Sequence, residues 1–95
     1  MSSYSFSDTA VRDIDEICEY IALQNSRAAS QLFDRIRQKC KLVASFLNMG
    51  KTYPKLNPNL RGFVVDDYIV FYYPSSDRIN IARVVSGYRD LEDLF

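Results

Sequence analysis

The sequence predicts an α+β fold of two layers, an N-terminal α-helical hairpin packed on a small antiparallel β-sheet. The elements run strand, helix, helix, strand, strand, strand. Two stripes of apolar residues at helical spacing fill the first half of the chain. Three β-rich runs with very short connections fill the second half. Connections that short force neighbouring strands to lie antiparallel, and two helices suffice to cover one sheet face. A chain of 95 residues, 47% of them hydrophobic, has room for one such core, so residues 1–95 read as a single domain.

Tyr4 to Phe6 alternates with serine and predicts a brief first strand. Ser7 is placed as an N-cap, with Asp8 in the first turn, where a negative charge favours the helix dipole. Ala10, Ile14, Ile17 and Ile21, with Val11 and Cys18 beside them, form the apolar stripe of a helix over 8–23. Its other face carries Arg12, Asp13, Asp15, Glu16 and Glu19. Asn25-Ser26 breaks this helix and caps the next. There Ala29, Leu32, Phe33, Ile36, Cys40, Val43 and Leu47 keep the same period, and Asn48-Met49-Gly50 supplies the stop.

Lys51 to Asn59, holding Pro54 and Pro58, predicts a fixed loop. Strands follow at 60–65, 68–73 and 78–85, the first two joined by Asp66-Asp67, and Tyr88 to Leu94 predicts a last helical turn. Tyr68, Phe71, Tyr72 and Tyr73 make the strand at 68–73 apolar on both faces. Its second face is therefore covered by helices or chain ends, or it is a partner surface. Arg83 falls inside an apolar strand, in phase with Ile79, Ile81 and Val85, and either sits beside an acidic partner or faces an exposed groove.

Composition removes several chemistries. No histidine is present, which excludes a histidine general base, a histidine metal site and a Ser-His-Asp triad. Three scattered glycines make no phosphate loop. The carboxylates Asp66-Asp67 read as a turn, and Asp90, Glu92 and Asp93 as a helix start. In an antiparallel hairpin Leu32 lies level with Cys18. Cys40 is then about 12 Å away along the helix, beyond disulfide reach, so both cysteines read as reduced. Twelve basic and twelve acidic side chains cancel, so no direct nucleic-acid binding is expected. Neither a membrane span nor a basic-then-apolar leader is visible, and the expected location is cytoplasmic.

The segment Leu60-Arg61-Gly62-Phe63-Val64-Val65-Asp66-Asp67-Tyr68-Ile69-Val70-Phe71-Tyr72-Tyr73, then Ile79 to Leu91 with Gly87-Tyr88-Arg89-Asp90-Leu91, resembles the C-terminal sheet of the ParE toxins. These form the gyrase-directed branch of the RelE/ParE superfamily. Tyr4-x-Phe6, Ala10-x-x-Asp13-Ile14, Glu19-Tyr20-Ile21-Ala22, Ala28-Ala29 and Gly50 extend the resemblance over almost the whole chain. The same superfamily implies the fold read above. It also implies a toxic component of a type II toxin–antitoxin system that binds and inhibits DNA gyrase. A cognate ParD-like antitoxin would neutralise it in a toxin–antitoxin hetero-oligomer. No cofactor, no metal and no catalytic residue is implied for this branch.

The runner-up is a RelE-like ribosome-dependent mRNA endoribonuclease. Arg89 matches one of the RelE phosphate-binding arginines. The C-terminal RelE tyrosine is matched by Phe95, its central-strand arginine by Ile69, and Ser86 stands where many relatives have histidine. Arg83 and Arg89 thus lack a proton-transfer group beside them. We assign target binding to Arg83, Tyr88 and Arg89, placed at a corner where Ser86-Gly87 turns the chain, and to Arg61, which opens the second strand and reads alternatively as a solvated strand end. Arg89 pairing with Asp90 or Glu92 is the structural alternative. Antitoxin binding is assigned to Tyr68, Tyr72 and Tyr73.

Overall fold

Serine at position 7 sets the start of the structure. The structure, a computed structural model, describes residues 3–87. Strand β1 (Ser3–Phe6) runs straight into helix α1 (Asp8–Ala22), because Ser7 is extended and its Oγ accepts from the Ala10 amide at 3.0 Å. Asn25 does the same for α2 (Ser26–Ser45), its Oδ1 accepting from the Ala28 amide at 3.1 Å. Both caps and both helices follow the sequence reading.

Among the described residues the remaining elements are β2 (Lys51–Thr52), β3 (Arg61–Val65), β4 (Tyr68–Pro74) and β5 (Arg78–Ser86). They form one sheet with strand order β1-β5-β4-β3-β2. The expected antiparallel sheet is in fact mixed. The three consecutive strands β3, β4 and β5 are antiparallel, as their short connections require. β1 instead pairs parallel to β5, from Ser3 opposite Arg78 to Phe6 opposite Ile81. Hairpin geometry does not constrain two strands at opposite ends of the chain. The expected loop after α2 begins with β2, which pairs Lys51 with Gly62 and Thr52 with Arg61.

β4 is central and buried on both faces. Val70 and Tyr72 pack under the helices with Ala10, Ile14, Leu32, Ile36, Cys40 and Val43. Ile69 and Phe71 point the other way, into a second cluster with Leu60 and Val85. Tyr53, from the proline-containing loop, lays its ring edge-on to Phe71 at 5.0 Å between centroids. That loop is fixed, as expected: the Tyr53 amide donates to Leu60 O, and the amides of Leu56 and Asn57 donate to Tyr53 O. Part of the second face is therefore covered by the chain itself.

The phase read for β5 is corrected by a bulge. Phe71 faces Arg83 and Tyr72 faces Ile81, so Ala82 is an extra residue. Ile79 and Ile81 lie in the helix-side core, and so does Val84, while Val85 belongs to the opposite cluster. The roles of two glycines also change. Neither Gly50 nor Gly87 has a positive φ, whereas Asp66, in the β3–β4 turn, has φ 54°. A Cβ on Gly50 would meet the Tyr72 ring at 2.6 Å, so close approach, not a left-handed stop, requires glycine there. At Gly87 a Cβ would come within 3.3 Å of Asp67 O, whose carbonyl accepts from the Gly87 amide.

Candidate interaction surface

Of the seven residues assigned to binding, five fall among the described residues, and all five pack into or against the fold, so only some keep surface to offer. Arg83 meets an acidic partner, which resolves its two readings. Its Nε donates to Asp13 Oδ2 at 2.8 Å and its Nη2 to Asp13 Oδ1 at 3.1 Å. Asp13 Oδ2 also accepts from the Val84 amide at 3.0 Å, just past the bulge. The side chains are only 20% and 12% exposed. This hydrogen bond to Asp13, aided by the nearby charges of Asp13 and Glu16, raises the arginine's already high pKa against desolvation. The pair clamps α1 to the bulge. Beside it Ser7 Oγ donates to Ala82 O at 2.9 Å and the Ser7 amide to Ile81 O. Asp13 was read on the polar face of its helix. The clue to its role was Arg83 itself, since an arginine in an apolar strand needs a carboxylate within reach.

Tyr72 is 0% exposed. Its assignment to antitoxin binding is therefore corrected: the side chain has no surface to present. Its hydroxyl donates to Leu47 O and accepts from the Gly50 amide, both at 2.9 Å. Burial pushes its pKa up, offset in part by the Gly50 amide and by Arg61. Arg61 completes the same junction, its Nη1 donating to Asn48 O at 3.0 Å and to Gly50 O at 2.8 Å. A helix end leaves carbonyls without intrahelical partners, and here a strand residue and a core phenol tie down the chain just beyond α2.

Tyr68 and Tyr73 keep partial exposure but occupy opposite ends and faces of β4. Tyr68 packs on the helix-side core, where burial, and then Asp67, raise its pKa. Tyr73 lies on the other side and lines a cleft of about 330 Å³ together with Arg61, Asn48, Thr52, Pro58, Asn59, Leu60 and Pro74. Arg61 and Tyr73, read as belonging to different sites, thus share one. Arg61 and Arg83 do not: one reaches the end of α2 and the other α1. Tyr88 and Arg89, with the predicted last helical turn, lie outside the described residues.

Between α1 and α2 runs an open groove of about 540 Å³, whose apolar floor includes Ile14, Cys18, Ala29 and Phe33, with Asp15 and Glu19 at its rim. Both cysteines are free, and Cys40, buried in the core, has its pKa pushed up to about 12. Among the described residues no three His, Cys, Asp or Glu side chains gather closely enough to hold a metal ion. No described helix is long and apolar enough to cross a membrane.

Comparison with known proteins decides the family. The model of the family described as ParE toxin of type II toxin–antitoxin system, parDE, matches residues 4–91. The chain belongs to the ParE toxin family. Among solved structures, its fold is similar to a chain of the chromosomal ParDE toxin–antitoxin system from P. aeruginosa, with TM-score 0.73 and 21% identity. That match covers 90% of this chain and 96% of the other. A conserved hypothetical protein from Helicobacter pylori, known from a solution structure, matches with TM-score 0.47 and 12% identity over 90% of this chain and 94% of its own. No curated protein matches the chain.

Proposed function

We propose that this ParE family member acts by binding DNA gyrase and inhibiting it, without breaking a bond through its own side chains. In this reading a cognate ParD-like antitoxin neutralises it in a cytoplasmic hetero-oligomer. The observation that carries the reading is the family match over residues 4–91. The geometry supports a binding rather than a cleaving role. A ribonuclease of the RelE kind needs arginines free to hold a phosphate and a group that moves a proton. Arg83 is tied to Asp13, and the Tyr72 hydroxyl is enclosed between Leu47 and Gly50. Tyr88 and Arg89 remain our proposed target contacts, and Tyr68 and Tyr73 our proposed antitoxin contacts. Because Arg61 and Tyr73 line one cleft, a single partner is proposed to take both.

The test uses the purified protein in two assays. Inhibition of gyrase supercoiling, with no cleavage of messenger RNA on ribosomes, is the expected result. Site-specific cutting in the ribosomal A site, with supercoiling unaffected, would replace this reading with the RelE-like one.

A further inference from the structure

We propose that the cleft lined by Arg61 and Tyr73 is a carboxylate-binding site that receives an acidic residue or chain terminus of a protein partner. Of the described arginines only Arg61 and Arg83 are half-buried. Among the described residues Arg83 has Asp13, but no carboxylate lines the Arg61 cleft, and Arg61 belongs to neither ion pair. A half-buried cation facing a concave surface without a counter-charge is a place where an anion gains most.

The guanidinium is also held in one orientation. Nη1 is fixed by the carbonyls of Asn48 and Gly50, leaving the Nε and Nη2 edge without a partner among the described residues. That edge is a planar two-donor fork, which matches the two oxygens of a carboxylate. The same cleft is lined by Tyr73, Thr52, Asn48 and Asn59, residue types that carry further hydrogen-bond donors, and by the apolar Pro58, Leu60 and Pro74. A volume of about 330 Å³ accommodates one acidic side chain and its flanking backbone. Phosphate is the weaker fit. Among the described residues the cleft holds one cation and no second, so one negative charge is balanced and two are not. Only the nature of the bearer, a protein, rests on the reading of this chain as a binding toxin.

The test is an NMR titration of the isotope-labelled full chain at constant ionic strength, following the Arg61 Nε–H and the amides of residues 48–61. Three probes are used: N-acetyl-aspartate N-methylamide for a side-chain carboxylate, N-acetylalanine for a chain terminus, and inorganic phosphate. Saturable shifts centred on Arg61 with at least one carboxylate, and tighter than with phosphate, are expected. Which carboxylate binds identifies the source. Absence of saturation with both carboxylates refutes the site, and so does phosphate binding as tight as either. Tyr73→Phe, which removes one hydroxyl, is expected to weaken the carboxylate about tenfold. Arg61→Lys, which keeps the charge and loses the fork, is expected to weaken it at least as much. Unchanged affinity in both folded variants would remove the assignment. None of these outcomes depends on gyrase inhibition, so this inference and the proposed function fail separately.

Discussion

Tyr72 shows how far a residue's role depends on a few ångströms of neighbouring backbone. As a member of an aromatic strand it reads as surface, yet its hydroxyl links Leu47 O to the Gly50 amide inside the core. Replacing it with phenylalanine keeps the ring and leaves a buried amide and carbonyl without a partner. A loss of about 1–3 kcal/mol is expected in denaturant unfolding, with the m-value unchanged. Tyr72→Asp places a charge at the same spot and is expected to prevent folding, so lost partner binding in that variant carries no information about an interface. A Tyr72→Phe midpoint equal to the wild type would show that water replaces the hydroxyl. The Asp13–Arg83 pair makes a similar point. Removing the carboxylate alone, as Asp13→Ala, strands a largely enclosed guanidinium and the Val84 amide. Asp13→Ala is expected to cost about 3 kcal/mol, and Asp13→Ala with Arg83→Met clearly less than the sum of the single changes. Additive costs in that double-mutant cycle would mean that the two side chains act independently. Loss of toxicity in an Arg83 variant must therefore be set against its stability before any target contact is inferred.

Helix α2 carries the pH dependence that the core predicts. In the unfolded chain the Cys40 thiol titrates near its ordinary value of 9.0, whereas burial holds it at about 12 in the fold. Between these values the unfolded state loses a proton that the folded state keeps, so stability falls as pH rises. Below pH 9 both states hold the proton and the contribution is complete. The unfolding midpoint is expected to drop from pH 9 to pH 11 less steeply in Cys40→Ala than in the wild type. Parallel profiles would mean that the thiol is hydrated in the fold. At the same helix end, Gly50→Ala forces a methyl into the Tyr72 ring and is expected to cost about 1–3 kcal/mol, measured by thermal melt. The helices, their caps and β3 to β5 were legible because periodicity and capping chemistry are local. β2 was not, since two residues paired only through backbone bonds leave no side-chain pattern. The parallel β1–β5 pairing was equally hidden, because it depends on a partner some seventy residues away, and the Ala82 bulge in the β4–β5 ladder leaves no side-chain pattern of its own. At the candidate site Arg61 and Tyr73 were legible as residue types. That they share a cleft was not, since it follows from where the β2–β3 loop folds back.

Across the whole molecule the zero net charge conceals a separation. α1 carries Asp8, Asp13, Asp15, Glu16 and Glu19 against Arg12 alone, while α2 carries Arg27, Arg35, Arg37, Lys39 and Lys41 against Asp34. Opposite charges cancel in the total but not at short range, where a docking partner passes within a Debye length of one helix at a time. Arg35 spends part of its charge on Asp66, at 2.6 Å, in the β3–β4 turn. Arg37 and Lys41 remain exposed on α2, and Arg61 lies just past its end. An acidic partner segment bound for the Arg61 cleft therefore meets a favourable field along α2 and an unfavourable one along α1. Charges at the rim of an interface act mainly on the association rate. With the proposed antitoxin as partner, Arg37→Glu with Lys41→Glu is expected to slow association several-fold at low salt. Glu16→Lys with Glu19→Lys is expected to speed it, and both effects should shrink as salt approaches molar strength. Stopped-flow mixing at two salt concentrations measures this directly. Rate changes of the opposite sign would mean that the partner's approaching segment is basic and docks along α1, so that the carboxylate in the Arg61 cleft must reach it from another direction.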